Sequence, residues 1–248
     1  DGLIKVKLEQ CGLYKIIGKM LSVKDDPELV IHFLEGLKYF FMMPKAQQVM
    51  IKKKKQGLNI QQRLIEIVSL GATTPTQGQV VMRAMDLLYY FDDADASKAL
   101  IDNGLLAALQ KLFTDASAFL ALRTKALDLF KIFPPEAHKA ILASGIMAGF
   151  AETISSPSTR TTHHSFLGRV LGFLNFLSKA SVSNLASDNI FKSLIALLTA
   201  KNSIEANKLS AIAILTNAVS AYSSMFIELG LPKNLLSLLV DVNTSPLL

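Results

Sequence analysis

Along five long stretches of this chain, apolar side chains return every three or four residues, and polar ones fill the positions between. Residues 163–179 show it best, with Phe166, Val170, Phe173, Leu174 and Leu177 on one side. That spacing makes one buried stripe on an α-helix, whereas a half-buried strand would alternate. The pattern predicts long helices over 28–43, 78–91, 119–133, 163–179 and 204–220. Shorter amphipathic pieces at 44–51, 94–102 and 135–143 predict a second, smaller kind of helix.

A third kind begins after a helix-breaking residue that is followed at once by a large aliphatic one. Six such starts occur: Cys11-Gly12-Leu13, Gln56-Gly57-Leu58, Asn103-Gly104-Leu105, Ser144-Gly145-Ile146, Asp188-Asn189-Ile190 and Leu229-Gly230-Leu231. They are spaced by 45, 47, 41, 44 and 41 residues, the period of helical solenoids at about 40 to 47. Glycine suits a steep junction between two helices because it accepts positive φ and close backbone approach. Asn189 is expected to fill the same role, since asparagine tolerates the left-handed region. Turns are expected at 24–27, 73–76, 114–117, 155–158 and 201–203, and Asp26-Pro27-Glu28 reads as a helix start. No stretch is long and polar enough to be a linker, so residues 1–248 read as a single domain of short, medium and long helices, about five full units and a partial one.

This order of helices, with Leu174-Asn175-Phe176-Leu177-Ser178 and Leu215-Thr216-Asn217-Ala218-Val219-Ser220 on the long ones, resembles the armadillo repeat over essentially the whole chain. The resemblance implies an all-α, right-handed superhelix whose long third helices line a concave groove that receives partner proteins. Placing those helices in register gives one groove position per unit: Lys38, Tyr89, Lys131, Asn175 and Asn217. Asparagine amides can bond both the N–H and the C=O of an extended peptide, so such a ladder would read backbone. The importin α pattern also places a tryptophan one turn before the asparagine; here those positions hold Leu171 and Ala213, and the chain has no Trp. The aromatic slots for lysine stems are therefore missing, which speaks against recognition of nuclear signals.

Composition narrows the partner. The net charge is +6, but only 19% of residues are charged, too thin a coat for binding that rests on many phosphates. No nucleic acid is expected. From Thr153 to Leu248 only eleven residues are charged, which predicts broad neutral surface suited to protein association. The single cysteine, Cys11, has no partner for an internal disulfide and points to a reducing compartment, cytoplasmic or nuclear. No apolar run approaches the roughly 18 residues needed to span a bilayer, and 1–7 lack the apolar centre of a signal peptide. The start and finish of the pattern inside repeat units read as a piece of a longer protein.

The remaining candidates are local. Lys52, Lys53, Lys54 and Lys55 form a cationic run that would suit an anionic partner, although four lysines at a helix end are more often a solvated face that also suits the helix dipole. Arg160 and Arg169 flank the loop before the fourth long helix and are candidates to clamp a phosphate or carboxylate. His163 and His164 are adjacent, so they point to different helix faces, and no further ligand sits at metal-binding spacing. Asp92, Asp93, Asp95 and Asp102 surround a short helix and read as caps, since the glycine of a calcium loop is absent. No GxxxxGK(S/T), GxGxxG, HExxH or GxSxG motif occurs. Neither catalysis nor a cofactor or metal is expected. The reading is a protein-binding adaptor; the alternative is an assembly platform that dimerises or docks against other parts of its own chain.

Overall fold

The computed structural model describes residues 13–21, 26–42, 60–91, 94–115, 117–133, 141, 145–180 and 188–244. The described residues form helices and connecting turns, with no strand among them. The chain divides into two compact units, Asp1–Ala137 and His138–Leu248. The Cys11-Gly12 and Gln56-Gly57 junctions, the Lys52 to Lys55 run, Asp92, Asp93 and the short pieces at 44–51 and 135–143 lie outside the described residues, apart from Ile141, which is helical and buried.

The first unit holds α1 (Leu13–Met20), α2 (Pro27–Phe41), α3 (Ile60–Leu70), α4 (Pro75–Leu88), α5 (Ala94–Asp102), α6 (Leu105–Thr114) and α7 (Leu120–Phe130). The long helices α2, α4 and α7 pack side by side in one layer, and α3 packs on α6 in a second. Each medium helix also packs on the long helix that follows it, α3 on α4 and α6 on α7. The core between the layers is aliphatic and aromatic, with Leu34, Phe41, Leu64, Met85, Leu109, Phe113, Leu127 and Phe130 all essentially without exposed surface. Full burial of each such side chain is worth about 1.5–3 kcal/mol.

The helix starts follow the expected chemistry. Asp26 caps α2 by accepting a hydrogen bond from Leu29 N at 2.9 Å, with Pro27 at the first helical position. Thr74 and Gln77 form a capping box ahead of α4: Thr74 Oγ1 accepts from Gln77 N at 3.2 Å, and Gln77 Oε1 accepts from Thr74 N at 3.3 Å. Asp95 lies in the first turn of α5, where a carboxylate favours the helix dipole. Asp102, by contrast, is the last residue of α5 and caps nothing at its start.

The second unit holds α8 (Ile146–Ser155), α9 (Pro157–Thr161), α10 (His164–Ala180), α11 (Asp188–Leu198), α12 (Glu205–Glu228) and α13 (Leu231–Thr244). Its medium helices α8, α11 and α13 stack in series, and its long helices α10 and α12 pack on one another. Three of the expected glycine junctions are present in the left-handed conformation, with φ of +89° at Gly104, +81° at Gly145 and +76° at Gly230. Asn189 departs from expectation. It has negative φ and lies within α11, which starts at Asp188; once helical, it needs none of the freedom for which asparagine was expected.

Two other expectations change. Residues 155–158 were read as a turn, but Pro157 starts the one-turn helix α9, its fixed φ being compatible with a first helical position. The last long helix was expected to stop at residue 220, yet α12 runs to Glu228 through a kink at Tyr222 (φ −131°, ψ 27°). Phe191 holds the segment beyond the kink, with ring centroids 5.2 Å from Tyr222 and 4.9 Å from Phe226. As a result α12 is, by length and composition alone, apolar enough to cross a membrane, contrary to the reading of the shorter segment.

Candidate functional site

The long helices of each unit carry the residues placed in register from the sequence, and the two units present them differently. In the first unit, Lys38 sits in the last turn of α2, Tyr89 immediately follows α4, and Lys131 immediately follows α7. Helices α4 and α7 end earlier than their hydrophobic pattern suggests, so these positions are helix ends. Lys131 Nζ lies 3.4 Å from Asp128 Oδ1, and a cation there also favours the C-terminal end of the dipole.

One to two turns earlier on the same helices lies an ion ladder that the sequence reading missed. Arg83 of α4 reaches back to Glu35 of α2 at 2.8 Å and also approaches Asp86 at 3.6 Å. Lys125 of α7 reaches back to Asp86 of α4 in the same way. Its ammonium also lies 4.6 Å from the centroid of the Tyr89 ring, a cation–π contact. The geometry repeats: a cation on each long helix pairs with an acid on the one before. The signal was in the sequence, since Glu35, Asp86 and Asp128 all stand three residues before the groove position and His32, Arg83 and Lys125 six before.

In the second unit the rungs are amides. Asn217 Nδ2 donates to Asn175 Oδ1 at 3.1 Å and to Ser178 Oγ at 2.9 Å, and Ser178 Oγ donates to the Asn175 carbonyl at 2.8 Å. Both asparagines are half-buried and Ser178 is buried. Both protons of the Asn217 amide thus hold α12 to α10. Asn207, also missed from sequence, is buried at the start of α12, where its Nδ2 donates to the His164 carbonyl at 3.2 Å. Gly168 permits that approach, because a Cβ there would lie 3.2 Å from Asn207 Oδ1.

Arg160 has a structural employment. Its Nε donates to the Ile154 carbonyl at 2.8 Å, at the end of α8, and partial burial lowers its pKa without discharging it. Arg123 does the same at the end of α6, donating to the Phe113 carbonyl at 2.9 Å. Phe113 and Ile154 are register equivalents, so a guanidinium satisfying the last carbonyls of a medium helix is a recurring device. Arg169 is exposed on α10, and His163 and His164 are exposed at its start. Among the described residues no group of three His, Cys, Asp or Glu is placed to hold a metal.

One residue beyond each groove position the side chain is large or apolar: Tyr39, Tyr90, Ile132, Phe176 and then Ala218. Tyr39 and Phe176 are exposed, and Phe176 stacks on Phe173 with centroids 6.3 Å apart. A separate cleft of about 940 Å³ opens in the first unit beside α3, bordered by Val30, Arg63, Glu66, Leu70, Thr73 and Gln77. Arg63 and Glu66 pair across its edge at 2.6 Å.

A designed armadillo repeat protein in complex with the peptide (KR)4 superposes with a TM-score of 0.64 at 14% identity, covering 91% of this chain and 90% of that one. The fold is armadillo-like. Two engineered proteins solved by crystallography superpose with TM-scores of 0.61 at 19% identity, covering 93% and 90% of this chain and 90% of each of theirs. No protein-family model matches the sequence, and comparison with curated proteins finds no match. The likeness therefore resides in an all-α armadillo-like superhelix.

Proposed function

We propose that this armadillo-like chain is a non-catalytic scaffold that holds an extended segment of another protein against its long-helix layer. The observation that carries the reading is the half-exposed amide pair of Asn175 and Asn217. With the Asn217 amide protons engaged, the Asn175 Nδ2 group and Asn217 Oδ1 offer N–H donors and an acceptor, the complement of a peptide unit in an extended strand. The exposed ring of Phe176 stands one residue beyond Asn175 and supplies apolar contact for side chains.

The peptide in the designed neighbour is basic. Here Glu35 and Asp86 are already paired with Arg83 and Lys125, so a strongly basic segment gains less; a mixed polar and apolar segment suits this surface better. A reducing compartment, cytoplasmic or nuclear, accords with the lone cysteine.

The test is selection of binding peptides from a random display library, followed by fluorescence anisotropy with the enriched peptide. Asn175→Ala is expected to weaken binding roughly tenfold, the equivalent of about one charge-free hydrogen bond in a shielded site, with the helix signal unchanged. Lys192→Ala, on the exposed side of α11, is expected to bind as wild type. Enrichment of no peptide, or equal affinity for Asn175→Ala, Phe176→Ala and wild type, overturns the proposal.

A further inference from the structure

A primary amide keeps nearly the same shape when its oxygen and nitrogen change places, so the groups around it decide which way it faces. The Asn217 amide meets two neighbours on α10, Asn175 Oδ1 at 3.1 Å and Ser178 Oγ at 2.9 Å. Ser178 is 1% exposed, and its single proton goes to the Asn175 carbonyl at 2.8 Å. Towards Asn217 it therefore turns a lone pair. An Asn217 amide turned over alone would set its oxygen against two acceptors, whereas the observed orientation gives each of its protons a partner. Reversing the whole network takes three moves together: the Ser178 proton must leave the Asn175 carbonyl, and both amides must turn.

We propose that Ser178 is a positioning residue that fixes which atoms of the amide pair face a partner, and thereby which segments the site admits; the selectivity rests on the scaffold function proposed for these helices. With the Asn217 protons turned inward, its free group is an acceptor, and a bound segment must bring a backbone N–H to it. Asn175 has committed its oxygen to Asn217, so its free group donates and receives a backbone carbonyl. Every residue carries a carbonyl, but proline has no N–H. The site therefore excludes proline, and any N-alkylated residue, at the one position whose N–H meets Asn217. Without the Ser178 oxygen the two amides can turn together, keeping their mutual hydrogen bond while exchanging the outward donor and acceptor. The exclusion then lapses.

Proton exchange of the side-chain amides, read by NMR on the 248-residue chain with isotope-labelled asparagine, tests the clamp without a ligand. Resonances are assigned by their loss in Asn217→Ala and Asn175→Ala. Both Asn217 amide protons should exchange with water about tenfold more slowly than those of Asn175. Ser178→Ala should remove most of that difference with circular dichroism unchanged, and Ser178→Thr, which keeps the hydroxyl, should restore it. Recognition is read with the display-enriched peptide and its N-methyl derivatives, one residue at a time. One derivative should bind wild type about tenfold more weakly than the parent peptide, and Ser178→Ala should bring the two within about threefold. A serine that only supported the fold would lower both affinities together and leave their ratio unchanged. Slow exchange at Asn175 in place of Asn217, exchange indifferent to Ser178→Ala, or an N-methyl penalty that is absent or equal in the two proteins overturns the proposal. Enrichment of no peptide ends the scaffold reading and the selectivity with it, whereas the exchange rates still decide whether Ser178 holds the amide.

Discussion

Replacing Asn217 by alanine removes the amide that joins the two long helices of the second unit. Two hydrogen bonds disappear, at 3.1 Å to Asn175 Oδ1 and 2.9 Å to Ser178 Oγ, each worth about 1 kcal/mol net. Ser178 is buried but still donates to the Asn175 carbonyl, so it loses an incoming bond without being orphaned. Asn175 is half-buried, and water can replace the lost donor there. The expected cost is therefore about 1–2 kcal/mol, below that of a fully stranded buried group. Asn217→Asp should cost more at neutral pH, because it sets an acceptor against Asn175 Oδ1. Asn175→Ala should cost about 1 kcal/mol, and because the two residues share a bond the double variant should show a coupling of similar size. Urea unfolding followed by circular dichroism gives the free energies. Amide hydrogen exchange on α10 and α12 localises the loss, which matters because repeat arrays need not unfold in one step. Strict additivity of the two alanines, or an Asn217→Ala variant as stable as wild type, refutes the reasoning.

Three further outcomes are expected. Gly104→Ala should destabilise by about 1–2 kcal/mol through backbone strain alone, since φ is +89° and nothing lies within 4 Å of the added Cβ; thermal unfolding checks this, with Gly104→Asn losing less. Arg83→Ala removes links to Glu35 and Asp86 that are partly solvated, so the loss measured by urea unfolding should stay below about 1 kcal/mol and shrink further near 1 M salt. Asp115 receives hydrogen bonds from the Ser117 hydroxyl at 2.6 Å and the Ser117 N–H at 2.9 Å, which hold its carboxyl below the usual 3.8. A depressed folded pKa means that its contribution is present above that value and lost as the pH falls through the folded one. Asp115→Asn should accordingly flatten a small part of the stability loss below about pH 4 in acid unfolding.

The helical repeat was readable because its two signals are local: three-and-four spacing on each helix and a glycine at each junction. Gly104, Gly145 and Gly230 reveal themselves because no other residue holds positive φ so readily. Asn189 misled because asparagine tolerates left-handed backbone without requiring it. Tyr222 hid the length of α12, since the segment beyond the kink is held by Phe191 of α11 against Tyr222 and Phe226, a contact across the fold. The candidate site was legible in position and less so in bonding. Register placed Asn175 and Asn217 on neighbouring helices, but that the Asn217 protons are engaged by Asn175 and Ser178 follows from the distance between helices. Arg160 looked available for an anion because its carbonyl partner, at Ile154, has no side-chain signature.

The long helices of the second unit, with Asn175 and Asn217, are the surface proposed to receive a partner. Photo-crosslinking tests this most directly, with a benzophenone side chain placed in turn at Phe176 on α10 and at Lys192 on α11, followed by mass spectrometry with an enriched peptide. Adducts from position 176, and none from position 192, are the expected result. Adducts from position 192 alone would contradict it.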